Sequence, residues 1–153
     1  MPNFKDKKVS IRKIKAGKNI KIYTPSNIYE CEIGDNSIIG PFVEIQKGVK
    51  IGKDTKIQSH SFICEFVKIK NNVFIGHGVV FINDKFQKGS PAKGNKKLWK
   101  KTLINDNVSI GSNSTILPVS ICSNVVIGAG SVVTKDINYP GVYAGNPAVK
   151  LKK

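Results

Sequence analysis

The chain has 153 residues, 40% of them hydrophobic, with 25 Lys and Arg against 10 Asp and Glu for a net charge of +15. That length fits one domain, spanning 1–153, with no room for a second core. No apolar run approaches the ~20 residues a membrane-spanning helix needs, and the stretch from Met1 to Lys21 lacks a hydrophobic signal-peptide centre, so a soluble cytoplasmic protein without membrane insertion is expected.

The positive charge raises a nucleic-acid reading, and its distribution argues against one. Lysines are scattered (Lys47, Lys50, Lys53, Lys56, Lys68, Lys70), with denser groups at the N-terminus, between 85 and 101, and at Lys150, Lys152 and Lys153. No aromatic residues interleave with them as a single-strand platform requires. Solvated charge and attraction of a phosphate-bearing small molecule are the expected uses. The three cysteines, an odd number without motif spacing, indicate free thiols in the core or at corners.

Residues 8–23 alternate weakly (Val9, Ile11, Ile14, Ile20, Ile22), which predicts an irregular first coil or edge strand. From there a strict period of six takes over: Ile33, Ile39, Ile45, Ile51, Ile57, Ile63, Ile69, Ile75 and Phe81. Two residues before each stands a small or β-branched side chain, from Cys31, Ser37 and Val43 to Val79. Neither a helical period of 3.6 nor strand alternation explains this pattern; a hexapeptide β-helix does. Three hexads make one triangular coil of about 18 residues, with the aliphatic column inside and short parallel strands on the sides. Glycines following the aliphatic residue (Gly34, Gly40, Gly52, Gly76, Gly111, Gly128) are expected to turn the corners.

The hexads stop at Phe81 and resume at Thr102. The intervening segment, with Asn83, Asp84, Gly89, Pro91, Gly94 and a lysine-rich run near Trp99, predicts an extruded loop of about 83–102. Two roles stand open for it: pinned to its own coil, or reaching a neighbouring subunit or covering a site. The ladder then runs through Ile104, Ile110, Ile116, Ile121, Ile127 and Val133, with one five-residue step from Ile116 to Ile121. From Tyr139 to Lys153 the chain predicts a turn followed by a strand or helical cap.

Vertical stacking follows from the period. Glu65 and Asn83 are 18 apart, each two places after its core residue, so they share a corner, with Lys47 one coil below. If the loop replaces one hexad junction and the short step is absorbed near Leu117, His77, Ser112 and Ala129 share another corner.

Three segments carry a family resemblance: Ile110-Gly-Ser-Asn-Ser-Thr-Ile-Leu-Pro118, Val126-Ile-Gly-Ala-Gly-Ser-Val-Val-Thr-Lys-Asp136 and Tyr143-Ala-Gly-Asn-Pro-Ala148. With them, the chain resembles the hexapeptide-repeat acyltransferases. Gln58-Ser-His-Ser-Phe-Ile-Cys64 and Ile75-Gly-His-Gly-Val-Val-Phe-Ile-Asn-Asp84 are similar to the branch that N-acetylates nucleotide-linked 3-amino-deoxysugars, either dTDP-linked 3-amino-3,6-dideoxyhexoses or a UDP-linked uronate. The resemblance implies an all-β, left-handed parallel β-helix, a homotrimer with sites between subunits, acetyl-CoA as co-substrate, and a role in bacterial surface-glycan or lipopolysaccharide biosynthesis. It implies Asn83, Glu65 and His77 as catalytic candidates, and Ser112, Gly128, Ala129, Lys135, Pro147 and Lys150 as coenzyme A contacts.

Each candidate has a plainer alternative. His77 suits a general base or a local corner hydrogen bond; Glu65 suits amine orientation or a solvated corner; Asn83 and Asp84 suit a turn; Lys135 and Lys150 suit coenzyme A phosphates or solvent. His60 reads as structural or interfacial. With only His60 and His77 present, 17 residues apart, no three-histidine zinc site is expected. An O-acetyltransferase and a non-enzymatic scaffold are the rival functions.

Overall fold

A computed structural model describes residues 10–152, so Val9 lies outside the described residues. The chain is a left-handed parallel β-helix of hexapeptide repeats whose three faces are parallel sheets. The first face stacks Ile11–Arg12, Asn27–Tyr29, Glu44–Ile45, Phe62–Ile63, Val80–Phe81, Thr115–Ile116 and Val132–Val133. The second stacks Lys15–Ala16, Glu32–Ile33, Lys50–Ile51, Val67–Ile69, Thr102–Ile104 and Ser120–Ile121. The third stacks Lys21–Ile22, Ile38–Ile39, Lys56–Ile57, Phe74–Ile75, Ser109–Ile110 and Val125–Ile127, and ends in a cap.

Short strands suffice because each contributes one inward aliphatic residue and hands its backbone hydrogen bonds to the coils above and below. Register is like on like: Ile45 pairs with Ile63, Ile51 with Ile69 and Ile57 with Ile75. Every residue of both six-residue rows is buried.

The hydroxyls in the inner row have a specific purpose. Ser61 Oγ donates to the Gly76 carbonyl at 2.8 Å and accepts from the Val79 N–H; Ser37 and Ser114 likewise donate to the carbonyls of Gly52 and Gly128. Thr102, where the ladder restarts after the loop, is the exception: its Oγ1 is buried without a partner. Thr102→Val is therefore expected to raise the unfolding free energy by about 1 kcal/mol, whereas Ser61→Ala lowers it by about 1–3 kcal/mol through two orphaned backbone groups. Denaturant titration of the two variants distinguishes these signs.

The glycines have a different purpose from the one their positions suggest. Left-handed backbone falls two residues later, at Asn36, Phe42, Gly48, Asp54, His60, Phe66, Asn72, Gly78 and Asn107. Glycine directly after the aliphatic residue is required by close approach. A Cβ on Gly34 would lie 2.6 Å from the Gly52 carbonyl carbon, and one on Gly76 would lie 2.6 Å from the Ser112 nitrogen.

The first described coil is more regular than the sequence suggests. Ile11–Arg12, Lys15–Ala16 and Lys21–Ile22 pair in register with the coil above, and Ile14, Ile20 and Ile22 pack against the core. At the other end Gly141–Gly145 extends the third face and Ala148–Lys150 folds back antiparallel on it, so the cap is a hairpin.

The loop leaves from the corner between the first and second faces and returns without breaking phase. Ile69 pairs with Ile104, Ile75 with Ile110 and Phe81 with Ile116. The five-residue step removes one residue from that same corner, and the stack above it continues as Ile104 with Ile121 and Ile110 with Ile127.

Candidate active site at two corners

The corner between the third and first faces carries His77. Its backbone N–H donates to Ser112 Oγ at 3.1 Å, its carbonyl accepts from the Asn113 N–H at 2.8 Å, and the Gly130 N–H donates to the Ser112 carbonyl at 2.8 Å. His77, Ser112 and Ala129 thus stand on consecutive coils in one column. One coil below, Ser59 Oγ lies 2.9 Å from His77 Nδ1. The imidazole is exposed and tethered through one nitrogen, so Nε2 points to a ligand or to solvent. In the tautomer that donates Nδ1–H to Ser59, Nε2 keeps a lone pair and can accept a proton. His60, one residue past this column, stacks on Phe42 at 4.9 Å between ring centroids.

The corner between the first and second faces carries Glu65 and Asn83. Asn83 Nδ2 donates to the Glu65 carbonyl at 3.1 Å, which leaves Asn83 Oδ1 available as an acceptor. The Glu65 carboxylate is paired with Lys96 from the loop, Nζ to Oε2 at 2.5 Å. Lys47 does sit one coil below Glu65, but its ammonium turns to Glu30 at 3.0 Å and holds that carboxyl below its ordinary range by hydrogen bond and charge. Gln46 links the coils, donating to Glu44 and accepting from the Glu65 N–H.

Of the two roles open for the loop, the structure shows the first. The loop is pinned to its own coil by the Lys96–Glu65 pair, by Trp99 set edge-on to Phe66 at 6.2 Å, and by the Lys100 N–H donated to the Asn83 carbonyl. Asp84 shapes its start, one oxygen accepting from the Phe86 N–H and the other from the Ala92 N–H. Loop and first-face residues line an open depression of about 380 Å³ beside Asn83, with Phe62, Val80, Phe86 and Trp99 among them.

The remaining expected contacts divide between places. Gly128 precedes Ala129, and Gly145 continues that column upward, its N–H donated to Ser131, while Pro147 lies in the hairpin turn that follows. Lys135, two places after Val133, stands above the other corner. Lys150 lies in the hairpin opposite Tyr143, against Gly141. Within one chain, His77 and the Glu65–Asn83 pair are on different corners, with the first face between them.

Two contributors, Ser59 and Lys96, are not among the residues the sequence points to; Trp99 is, without its partner. Ser59 lies 18 residues before His77, so the period contains it. Lys96 and Trp99 come from the aperiodic loop, where no repeat assigns a neighbour.

Two of the three thiols, Cys31 and Cys64, are buried. Burial pushes Cys31 up to about 11 and Cys64 up to about 12, so both remain protonated near neutral pH. Among the described residues, no three His, Cys, Asp or Glu side chains converge on a metal position, and no helix is long and apolar enough to cross a membrane.

Two family profiles match the chain: Bacterial transferase hexapeptide (six repeats) over residues 30–65 and 48–83, and Hexapeptide repeat of succinyl-transferase over residues 101–135. Together they take in more than half of its residues. The bifunctional protein GlmU of Buchnera aphidicola subsp. Acyrthosiphon pisum is 32% identical over 149 residues, covering 92% of this chain and 32% of that protein. The chain thus spans about a third of the length of the curated relatives it matches. A variant of AntD, an N-acyltransferase from Bacillus cereus in complex with dTDP and coenzyme A, superposes with a TM-score of 0.78 at 24% identity, covering 90% of this chain and 82% of that one. A hexapeptide-repeat acetyltransferase from Vibrio cholerae complexed with acetyl coenzyme A gives 0.61 at 23% identity, covering 83% and 69%.

Proposed function

Because the chain belongs to the bacterial hexapeptide-repeat transferase family, we propose that it is an acetyl-CoA-dependent N-acetyltransferase acting, as a single domain, on the amine of a nucleotide-linked 3-amino-deoxysugar. The carrier is dTDP or UDP, the setting is cytoplasmic, and the product feeds bacterial surface-glycan synthesis. The observation that carries this reading is the column of small side chains, Ser112 and Ala129, rising directly from a tethered His77. A thin pantetheine arm fits such a column, and its amides meet exposed corner backbone there. AntD, of the same fold, binds dTDP and coenzyme A along with its N-acyl transfer activity.

The site is completed between subunits of a homotrimer. The first face is the one flanked by both the His77 and the Glu65–Asn83 corners, and its upper outward residues Phe62, Val80, Thr115 and Val132 are uncharged, as are Phe74, Ser109 and Val126 on the third face. Packing the first face against a neighbour sets one subunit's His77 corner opposite another's Glu65–Asn83 corner.

Acyl transfer needs a neutral amine, an aligned thioester carbonyl and a destination for one proton. In this reading Asn83 Oδ1 and the free Glu65 oxygen accept hydrogen bonds from the amine and aim its lone pair. The N–C bond forms, the C–S bond breaks, and the amine proton passes through His77 Nε2 to the departing thiolate, giving free coenzyme A. Coenzyme A contacts at Gly128, Pro147, Lys135 and Lys150 belong to the same proposal.

The tethered imidazole also favours a second reading, O-acetyl transfer, because a hydroxyl must lose its proton as it attacks. A coenzyme A release assay separates the two. Across dTDP- and UDP-linked amino sugars, turnover is expected with amines and is absent with the matching deamino sugar. Turnover of hydroxyl acceptors alone identifies the O-transferase, and no acetyl-CoA binding identifies a scaffold.

A further inference from the structure

One cation stands at the corner that carries Glu65 and Asn83. Lys96 reaches from the loop to Glu65 Oε2 and leaves the other carboxylate oxygen free. The loop is built to hold it there: the Asn95 side chain caps the short 3₁₀ turn Lys96–Leu98 by accepting from the Lys97 N–H at 3.2 Å, and the Trp99 ring, edge-on to Phe66, lies 5.7 Å from the ammonium. The Glu65 side chain is only 19% exposed, so water screens the pair in part. Among the described residues no other cation lies at ion-pair distance from Glu65, Lys97 and Lys100 of the same loop included. Lys47, one coil below, is paired with Glu30, and both oxygens of Asp84 accept from the Phe86 and Ala92 N–H groups. Glu44, also one coil below, adds negative charge. Tyr29, below that, is a phenol pushed up by burial and by the Glu44 and Glu65 charges, with Arg12 over its ring.

Resting on the N-acetyltransferase reading, we infer that Lys96 is a positioning residue for the acceptor: its charge cancels that of Glu65, so the free carboxylate oxygen aims a neutral amine instead of capturing an ammonium. An amine is largely protonated near neutral pH, and only its neutral form has the lone pair that attacks the thioester. A lone carboxylate at the binding corner favours the charged form and holds it as an unreactive ion pair. With the Lys96 ammonium on one oxygen the pair is neutral overall, and an incoming ammonium meets a like charge close by. It gives its extra proton to solvent on binding, and the free Glu65 oxygen then accepts a hydrogen bond from the neutral amine. The N–C bond forms and the C–S bond breaks as before, with one amine proton leaving through His77 to the thiolate.

Single-turnover acetyl transfer at saturating amino sugar, followed against pH, reads the proton on the bound amine. In Lys96→Met the acid limb of that profile is expected to move up by about one pH unit, so the rate below the limb falls about tenfold, while the amino sugar concentration giving half the maximal rate also falls. Lys96→Arg keeps the charge and the wild-type limb. Lys96→Met combined with Glu65→Gln has no uncompensated carboxylate, and its limb returns to the wild-type position. A lysine that merely pins the loop gives the opposite split in Lys96→Met: weaker binding of the amino sugar, a lower rate at every pH and an unmoved limb. That outcome, or a limb that stays displaced in the double variant, overturns this inference and leaves amine acylation standing. If the wild-type protein turns over no amino sugar while acetyl-CoA still binds, the underlying reading fails and this inference fails with it.

Discussion

Gly76→Ala is expected to lower the unfolding free energy by about 2–3 kcal/mol, or roughly 5–10 °C in Tm for a domain of this size. A Cβ there would sit 2.6 Å from the Ser112 nitrogen and 2.9 Å from the Ile110 oxygen, both backbone atoms of the next coil. The coils cannot part locally, because the Gly76 N–H is itself donated to the Ile110 carbonyl and the Asn113 N–H to the His77 carbonyl, each at 2.8 Å. Strain therefore spreads along the column that positions His77, and activity is expected to fall with stability. Gly48→Ala is the control. Its φ is +77° and nothing lies within 4 Å, so only the backbone conformation opposes a side chain there, at about 1 kcal/mol. Thermal and chemical denaturation of both variants measures the difference; equal losses contradict close approach as the reason for the post-aliphatic glycines.

The second large effect falls on the chemistry. Asn83→Ala is expected to lower kcat/KM for the amino sugar at least tenfold, since it removes the acceptor that aims the amine and also the side-chain bond to the coil below. Glu65→Ala acts in the same direction and in addition frees Lys96. His77→Ala is expected to lower kcat by ten- to a hundredfold, less than for a hydroxyl acceptor, because an amine attacks without prior deprotonation. Ser59→Ala leaves the imidazole present but unrestrained, and a smaller kcat loss than in His77→Ala marks the tether as a positioning contact. Unchanged kcat/KM in both Asn83→Ala and Glu65→Ala moves the site elsewhere.

The period made the core legible, since each inward position was assigned by counting. It also placed His77 below Ser112 and Glu65 below Asn83, because vertical neighbours in a β-helix are fixed by the coil length. Counting failed where side chains choose between neighbours. Lys47 has carboxylates one coil above and one below, and its ammonium went to Glu30. The pairing of Lys96 with Glu65 lies in the loop, whose path depends on Asp84 and on aromatic packing that no repeat encodes. The glycine positions were plain in the sequence, but their physical reason needed interatomic distances between coils.

The account depends most on His77 and Asn83 belonging to one active site assembled from two subunits, and subunit mixing tests it directly. His77→Ala and Asn83→Ala are each prepared as nearly inactive proteins, then unfolded, mixed in equal amounts and refolded together. If each site takes His77 from one subunit and Asn83 from its neighbour, about a quarter of the sites regain both residues, and the mixture recovers roughly that fraction of wild-type coenzyme A release. Recovery no greater than the average of the two separate variants contradicts the shared site.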